Sequence, residues 1–511
     1  MKDLQPQVKG CIHMAENKTQ ENDQQILSSG HLRRYILFSA VIVSIVGLYY
    51  VFSMNLFAII QQTPFSPGTG RPGQGPAGMP NALGQMYNIW PLWGTLVLPS
   101  LEGIFIASGA ILLLIGFILI LRHYEYRLPS LPILVVTGLV LLVLTNLIHG
   151  WSVGIESTIG AMSEIYSDIS KVVNPISFVS NFNTLQASLS LHAQTQPPGA
   201  VLTIYLLNLI FQEPAFIAIG LSIIAGVFSA FFITGLYKKL FDSENAKYGA
   251  FLYLLLPAIQ VYYLANIYAI VATLAAGALY FYFSSNRILK YVGTFVSIFL
   301  GTFISFLFVY IPLVLLIFEI IRSLHLSRDL ELSKRLVEML FSLCTIITIG
   351  IGIVLLYFLL YLGLGFNYVE AFLYASSLEN SGGFMLLSDP GQYFITRLED
   401  ILDIVVFFGP FLAVFAYEGI KSMRTNLSDE KTVVSYSLTM SSIISLLLLF
   451  LTGAPKKGET ARICMFALPL FLIPALYYVM TNNFSRKEKM KLLLLVFAQA
   501  VIMQLFATYI W

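Results

Sequence analysis

The sequence predicts an all-α polytopic membrane protein, and three observations carry that reading. Of its 511 residues, 57% are hydrophobic and only 11% charged. Mean hydropathy is +0.79. Apolar runs of about 20 residues, the length that crosses a hydrocarbon core, recur from Tyr35 to Ile510. A backbone facing lipid must satisfy its own hydrogen bonds, so uninterrupted runs of this length are helices rather than barrel strands. The three cysteines, Cys11, Cys344 and Cys464, lack metal-ligand or redox spacing and read as packing residues.

Residues 1–34 are polar and end in Arg33-Arg34, directly before the first apolar run. That order predicts a cytoplasmic tail followed by an anchor, not a signal peptide. Residues 35–130 then hold two N-terminal spans, 35–60 and 101–121. Between them the Gly/Pro-rich segment 63–84, with Arg71 as its charge, reads as an external spacer. Arg122 and Arg127 place the next loop inside, so 131–149 runs outward and 150–198 is external.

The run 201–211 is too short to cross, and Gln212-Glu213-Pro214 breaks it before 215–236. Lys238 and Lys239 belong inside, so 198–236 should cross once, through a broken or re-entrant helix opening at Pro197-Pro198. Residues 251–283 and 291–321 are each long for one span and short for two. Beyond them 339–362 runs outward, 366–397 is external and 401–417 returns to Lys421, Arg424 and Lys431. Then 434–452 runs outward, 453–461 is external, and 463–480 returns to Arg486, Lys487, Lys489 and Lys491. The last run, 492–510, leaves the C-terminus outside. A chain with its ends on opposite sides needs an odd number of spans, about 11 or 13 by length. Broken apolar segments beside a polar loop line a cavity.

The external loop 150–198 is the most polar stretch among the spans. Read as a helix, it aligns Ile155, Ile159, Met162, Ile165, Ile169 and Val172 on one face. Glu156, Gly160, Ser163, Glu164, Ser167, Asp168 and Lys171 fall on the other. Such a helix lies in the membrane interface with its carboxylates toward water. Phe178, Val179, Phe182, Leu185 and Leu189 suggest a second of the same kind.

Three groups can carry chemistry. Glu164 and Asp168, four apart on one predicted helical face, can supply a general base and, where one is used, hold a divalent cation such as Mg or Mn. They read equally well as a solvated face with Asp168 paired to Lys171. His192, ahead of the rigid Pro197-Pro198 turn, can bind a phosphate or move a proton. Lys456, Lys457 and Arg462 lie on the external side, where the positive-inside bias does not place them. At a helix start they make a site for an anion such as a lipid phosphate, the alternative being a Glu459–Arg462 pair that caps the helix. The sequence holds no His-Glu-x-x-His, Walker or Gly-x-Ser-x-Gly motif, which removes the common zinc-protease, nucleotide-driven and hydrolase readings. Scarce charges within the spans disfavour an ion-coupled transporter.

At these residues the chain resembles the multi-spanning GT-C glycosyltransferases, the class of protein O-mannosyltransferases and lipid A aminoarabinose transferases. It is most similar to prokaryotic members with a His-Ala-x-Thr-His-Pro-Pro-Gly pattern, here His192 to Gly199 with Gln196 for the second histidine. A late Lys-Gly-Glu-x-x-Arg-Ile-Trp-x-Phe pattern reads Lys457 to Phe466, with Cys464 for tryptophan. Glu164-x-Tyr166-x-Asp168 resembles the acidic-aromatic stretch of the same loop. The family's Asp-Glu pair after the span leading into the loop is absent, and Asn266 stands where a second external aspartate is often found.

The resemblance implies a GT-C-like bundle over 131–511, with 1–130 as an addition. It implies a cell-membrane enzyme that moves a sugar from a polyprenyl-phosphate donor to an acceptor outside the cytoplasm, by base-assisted displacement with inversion. The base would come from Glu156, Glu164 or Asp168. His192, Gln196, Lys457, Glu459 and Arg462 would bind substrate. The competing expectations are a non-enzymatic lipid or sugar transporter and a diverged, inactive relative.

Overall fold

The computed structural model describes residues 95–509 except 161–163, 265, 327–330, 381 and 454–459. The expected tail, first span and Gly/Pro-rich spacer therefore lie outside the described residues, as do Lys457 and Glu459. Within them the chain is all helix and turn apart from one antiparallel pair, β1 (Thr95–Leu96) with β2 (Ala507–Thr508).

The major helices, in order, are α1 (Leu101–His123), α2 (Leu131–Leu147), α3 (Pro198–Phe211), α4 (Pro214–Leu240), α5 (Ser243–Leu255), α6 (Pro257–Tyr262), α7 (Ile267–Tyr282) and α8 (Thr294–Ile304). There follow α9 (Tyr310–Leu326), α10 (Leu332–Leu364), α11 (Tyr368–Glu379), α12 (Pro390–Phe408), α13 (Pro410–Thr425), α14 (Glu430–Leu451), α15 (Leu468–Thr481) and α16 (Arg486–Phe506). Among the described residues six helices are long and apolar enough to cross a membrane, or eight if each of two bent pairs is one span. Shorter apolar helices, α3 and α7 among them, complete the bundle.

Local sequence sets the ends. Ser100 accepts the Gly103 amide at the start of α1, and Arg122 and His123 fill its last turn. Ser485 and Glu488 form a capping box that opens α16. The long apolar run 251–283 resolves into α6 and α7, joined by a turn at Leu264–Asn266. Pro257 starts α6, and the buried Gln260 amide donates to the Leu254 carbonyl across that break (2.6 Å). The run 291–321 breaks at Ser305. α3 opens at Pro198, as the sequence predicts, and ends at Gln212 in a left-handed conformation (φ 57°).

The bundle has two chemically different ends. At one, Arg486 pairs with Glu244 (3.0 Å), Lys489 donates to Asn245 (2.7 Å), and Lys247 reaches the Leu128 and Pro129 carbonyls. The stretches following Arg127, Lys239 and Met480, which the sequence predicts to be inside, meet here. The other end gathers the C-terminus of α2, residues 152–160 and 164–196, the start of α7, α12 and residues 460–462.

Two sharp bends shape that second end. α2 turns by 115° into the polar segment Ser152–Gly160. At the corner, a Cβ on Gly154 would stand 1.9 Å from the Asn146 carbonyl oxygen. Gly154→Ala is therefore expected to cost about 1–3 kcal/mol by overpacking. A thermal melt of the purified protein in detergent checks this, and a Tm equal to the parent's would contradict it. α12 turns by 99° into α13 at Gly409-Pro410, where Gly409 adopts φ 104°.

The predicted amphipathic helix of the external loop does not form as one element. Its chain makes a π-turn over Ser152–Glu156, a short helix over Ser157–Gly160 and a 3-10 turn over Ile165–Lys171. Ile155, Ile159, Ile165 and Val172 are buried, packed into the protein core instead of lying on lipid.

Candidate active site

One cavity lies where these segments converge. It is lined by Thr158 and Ile159 from the short helix, Glu164, Ile165 and Tyr166 at the 3-10 turn, His192 and Gln196, Ile204 of α3, Leu264, Asn266, Ile267 and Tyr268 around the start of α7, and Arg462. Glu164, His192, Gln196 and Arg462, singled out from the sequence, therefore face one space. Asn266, Tyr166 and Tyr268 complete its wall.

Glu164 is the N-cap residue of the 3-10 turn, in extended backbone conformation. Its Oε1 lies 3.6 Å from His192 Nε2, and both side chains are largely buried (16% and 26% exposed). The separation is within ion-pair range of a protonated imidazole. His192 sits on the short helix Leu191–Gln194, followed directly by the Gln196-Pro197-Pro198 entry to α3. Gln196 donates from Nε2 to the Tyr268 hydroxyl (2.9 Å), while its buried Oε1 has no hydrogen-bond partner among the described residues. That oxygen can accept a hydrogen bond from a bound hydroxyl. Asn266 caps α7 by accepting the Tyr268 amide (2.9 Å), which fixes the turn that carries both.

Arg462 is 5% exposed and sits on the turn Thr460–Ile463. Two acids of α12 hold that turn. Asp400 Oδ1 accepts the Thr460 hydroxyl (2.6 Å), and Asp403 Oδ2 accepts the Ala461 amide (2.7 Å). A fixed guanidinium in a cavity presents a planar fork suited to phosphate or carboxylate.

Asp168 does not join Glu164. It is 1% exposed, with Oδ1 accepting from Lys171 Nζ (2.8 Å) and Oδ2 from the Ser190 amide (2.8 Å). The physical reason is that Glu164 stands ahead of the turn in extended backbone while Asp168 lies within it, so the α-helical i,i+4 relation does not hold. Asp168 thus ties the 3-10 turn to the stretch before His192, a loop-holding role. Asp168→Ala should cost about 1–3 kcal/mol, the penalty for leaving the Ser190 amide unpaired. A drop in Tm with donor KM unchanged would match that role; a large kcat loss at unchanged Tm would contradict it. Glu156 is exposed and outside the cavity lining.

The same displacement bears on the expected divalent cation. Glu164 and Asp168 do not converge, and Glu164 with His192 offers two donors where Mg and Mn favour several oxygens. Among the described residues no group of three or more His, Cys, Asp or Glu is placed to hold a metal.

No family model matches the chain, and neither does any curated protein. Several solved structures match part of it. The crystal structure of the Archaeoglobus fulgidus oligosaccharyltransferase with Zn and sulfate has 15% identity and a TM-score of 0.45 over 73% of this chain and 53% of that one. The same archaeal enzyme, AglB, in complex with an inhibitory peptide and a dolichol-phosphate, has 13% identity and a TM-score of 0.41, covering 73% and 56%. Its form tethered to an acceptor peptide containing the NVT sequon has 13% identity and a TM-score of 0.43, covering 73% and 55%. This chain thus spans a little over half the length of those structures.

Proposed function

We propose that the chain is a membrane glycosyltransferase that moves a sugar from a polyprenyl-phosphate donor to an acceptor hydroxyl on the extracytoplasmic side, with inversion. One observation carries the reading. A half-buried carboxylate–imidazole pair, a glutamine oxygen open to a hydroxyl and a buried arginine on a braced turn, drawn from segments as far apart as residues 164 and 462, line the same cavity. The resemblance to GT-C motifs falls on these same residues.

Each group has a role in that chemistry. Glu164 takes the proton from the acceptor hydroxyl, and His192 holds the carboxylate in place. The acceptor oxygen bonds to the anomeric carbon as the bond from that carbon to the phosphate oxygen breaks. The phosphate leaves with the electron pair, and Arg462 neutralises the charge that grows on it. The transition state is oxocarbenium-like, so the nearby carboxylate stabilises it as well. Gln196 Oε1 accepts from a sugar hydroxyl. Lys457, in the resembling motif, would reinforce Arg462.

The cavity wall also suits a lipid substrate. Ile204 of α3 lines the cavity, while Leu206, Leu209 and Ile210 on the same helix are exposed (54%, 58% and 71%). A polyprenyl chain can reach the cavity along that apolar surface without entering water. The basic end of the bundle would face the cytoplasm, which puts the cavity and the C-terminus outside.

The test is sugar transfer from a panel of polyprenyl-phosphate hexoses by the protein reconstituted in lipid. Release of polyprenyl phosphate together with a glycosylated acceptor supports the proposal. Movement of the lipid between leaflets without bond cleavage would make the chain a transporter.

A further inference from the structure

The polarity of α12 is inverted relative to a helix in water. Tyr393, Thr396, Glu399, Asp400, Asp403 and Phe407 are buried, whereas Phe394, Ile395, Leu398 and Ile401 are 64%, 49%, 52% and 41% exposed. A helix that turns its acids inward and its apolar residues outward is built to face lipid while serving something polar inside.

What it serves can be read along its inner face. Tyr393, Arg397, Asp400 and Asp403 recur at steps of four, three and three, which is one helical stripe. At its upstream end, the Tyr393 hydroxyl donates to the Leu451 carbonyl (2.9 Å), and Arg397 donates to the carbonyls of Phe450 (2.9 Å) and Gly453 (3.4 Å). At its downstream end, Asp400 and Asp403 accept from Thr460 and Ala461. Arg397 also pairs with Asp400 (3.2 Å), so the two halves of the stripe are joined. One helix face therefore holds the chain at Phe450–Gly453 and again at Thr460–Ala461, directly before Arg462.

We infer that α12 is a brace for the phosphate end of the cavity, and that Asp403 and Asp400 are positioning residues which set where Arg462 stands. The inference rests on the proposed function for its consequence, but the brace itself does not. Asp403 acts through a backbone amide, so any acceptor of the same shape serves, whereas a truncated side chain leaves that amide without the bond. Asp400 acts through the Thr460 hydroxyl, so removing that hydroxyl loosens the same turn from the other partner.

The experiment compares Asp403→Asn, Asp403→Ala and Thr460→Val with the parent, all reconstituted in nanodiscs. Two quantities are read: hydrogen exchange at the Ala461 amide, by mass spectrometry of peptides covering 460–466, and affinity for polyprenyl phosphate. Loss of this bond at a buried amide is expected to speed Ala461 exchange by about tenfold or more in Asp403→Ala. Asp403→Asn should exchange close to the parent, because it keeps an acceptor oxygen. Polyprenyl-phosphate affinity should fall in Asp403→Ala and Thr460→Val, be largely restored in Asp403→Asn, and leave acceptor KM unmoved. Unchanged Ala461 exchange in Asp403→Ala would overturn the brace. If that variant does not insert, unchanged affinity and exchange in Thr460→Val would overturn it equally. A parent protein that does not bind polyprenyl phosphate would defeat the functional reading, while the exchange result would still decide the brace.

Discussion

Glu164→Gln is expected to lower turnover by about two to four orders of magnitude, the range for loss of a general base. The substitution keeps the side-chain shape and removes the proton acceptor. Glu164 caps a short turn through its backbone conformation and not through its side chain, so the fold should survive. Its carboxylate lies 3.6 Å from His192 Nε2, and the amide of the variant fills the same space beside that ring. Donor KM should therefore change little while kcat falls. Steady-state transfer by membrane-inserted variant protein checks this split, with Tm as the control for folding. A Glu164→Gln protein that turns over at the parental rate would remove Glu164 from the chemistry.

The second large effect is expected at Arg462. Arg462→Ala removes the buried guanidinium from the cavity wall and should cost about 3–5 kcal/mol of transition-state and donor stabilisation, as loss of one member of a buried ionic contact does. Arg462→Lys should rescue only in part, because an ammonium cannot make the planar two-point contact to phosphate. Both kcat and donor KM are expected to suffer, in contrast to Glu164→Gln. A full rescue by lysine would show that a point charge suffices and that the bidentate geometry is not used.

How far the sequence reaches can be judged residue by residue. Among the described residues the long runs near 101–121, 215–236, 339–362, 434–452 and 492–510 form helices, and the Pro198 helix start and the short 201–211 segment correspond to α3, because span length and proline chemistry act locally. Glu164, His192, Gln196 and Arg462 come together in one cavity, as expected of segments sharing one end of the bundle. The Asp168–Lys171 pair is one of two readings the sequence offers, and it forms; the bond from the Ser190 amide was not legible. The i,i+4 spacing assumes one continuous α-helix, and nothing in the sequence marks Glu164 as the extended residue ahead of a 3-10 turn. The α12 acids were hidden for a different reason. Glu399 and Asp400 fall between the external segment 366–397 and the span 401–417, and Asp403 inside that span, so none stands out as a candidate; only their contacts with Thr460 and Ala461 tie the helix to the cavity end. The signal was present in the steps of four, three and three from Tyr393 to Asp403, opposite Phe394, Leu398 and Ile401.

The central claim is that Glu164 does chemistry and Arg462 holds a lipid phosphate in the same cavity. The most direct measurement is a paired one on the reconstituted parent, Glu164→Gln and Arg462→Ala proteins: polyprenyl-phosphate affinity beside the rate of sugar transfer. The account predicts that Glu164→Gln binds polyprenyl phosphate like the parent yet transfers at about one-hundredth of its rate or less, while Arg462→Ala loses both. Parental transfer by Glu164→Gln, or undiminished polyprenyl-phosphate binding by Arg462→Ala, would contradict it.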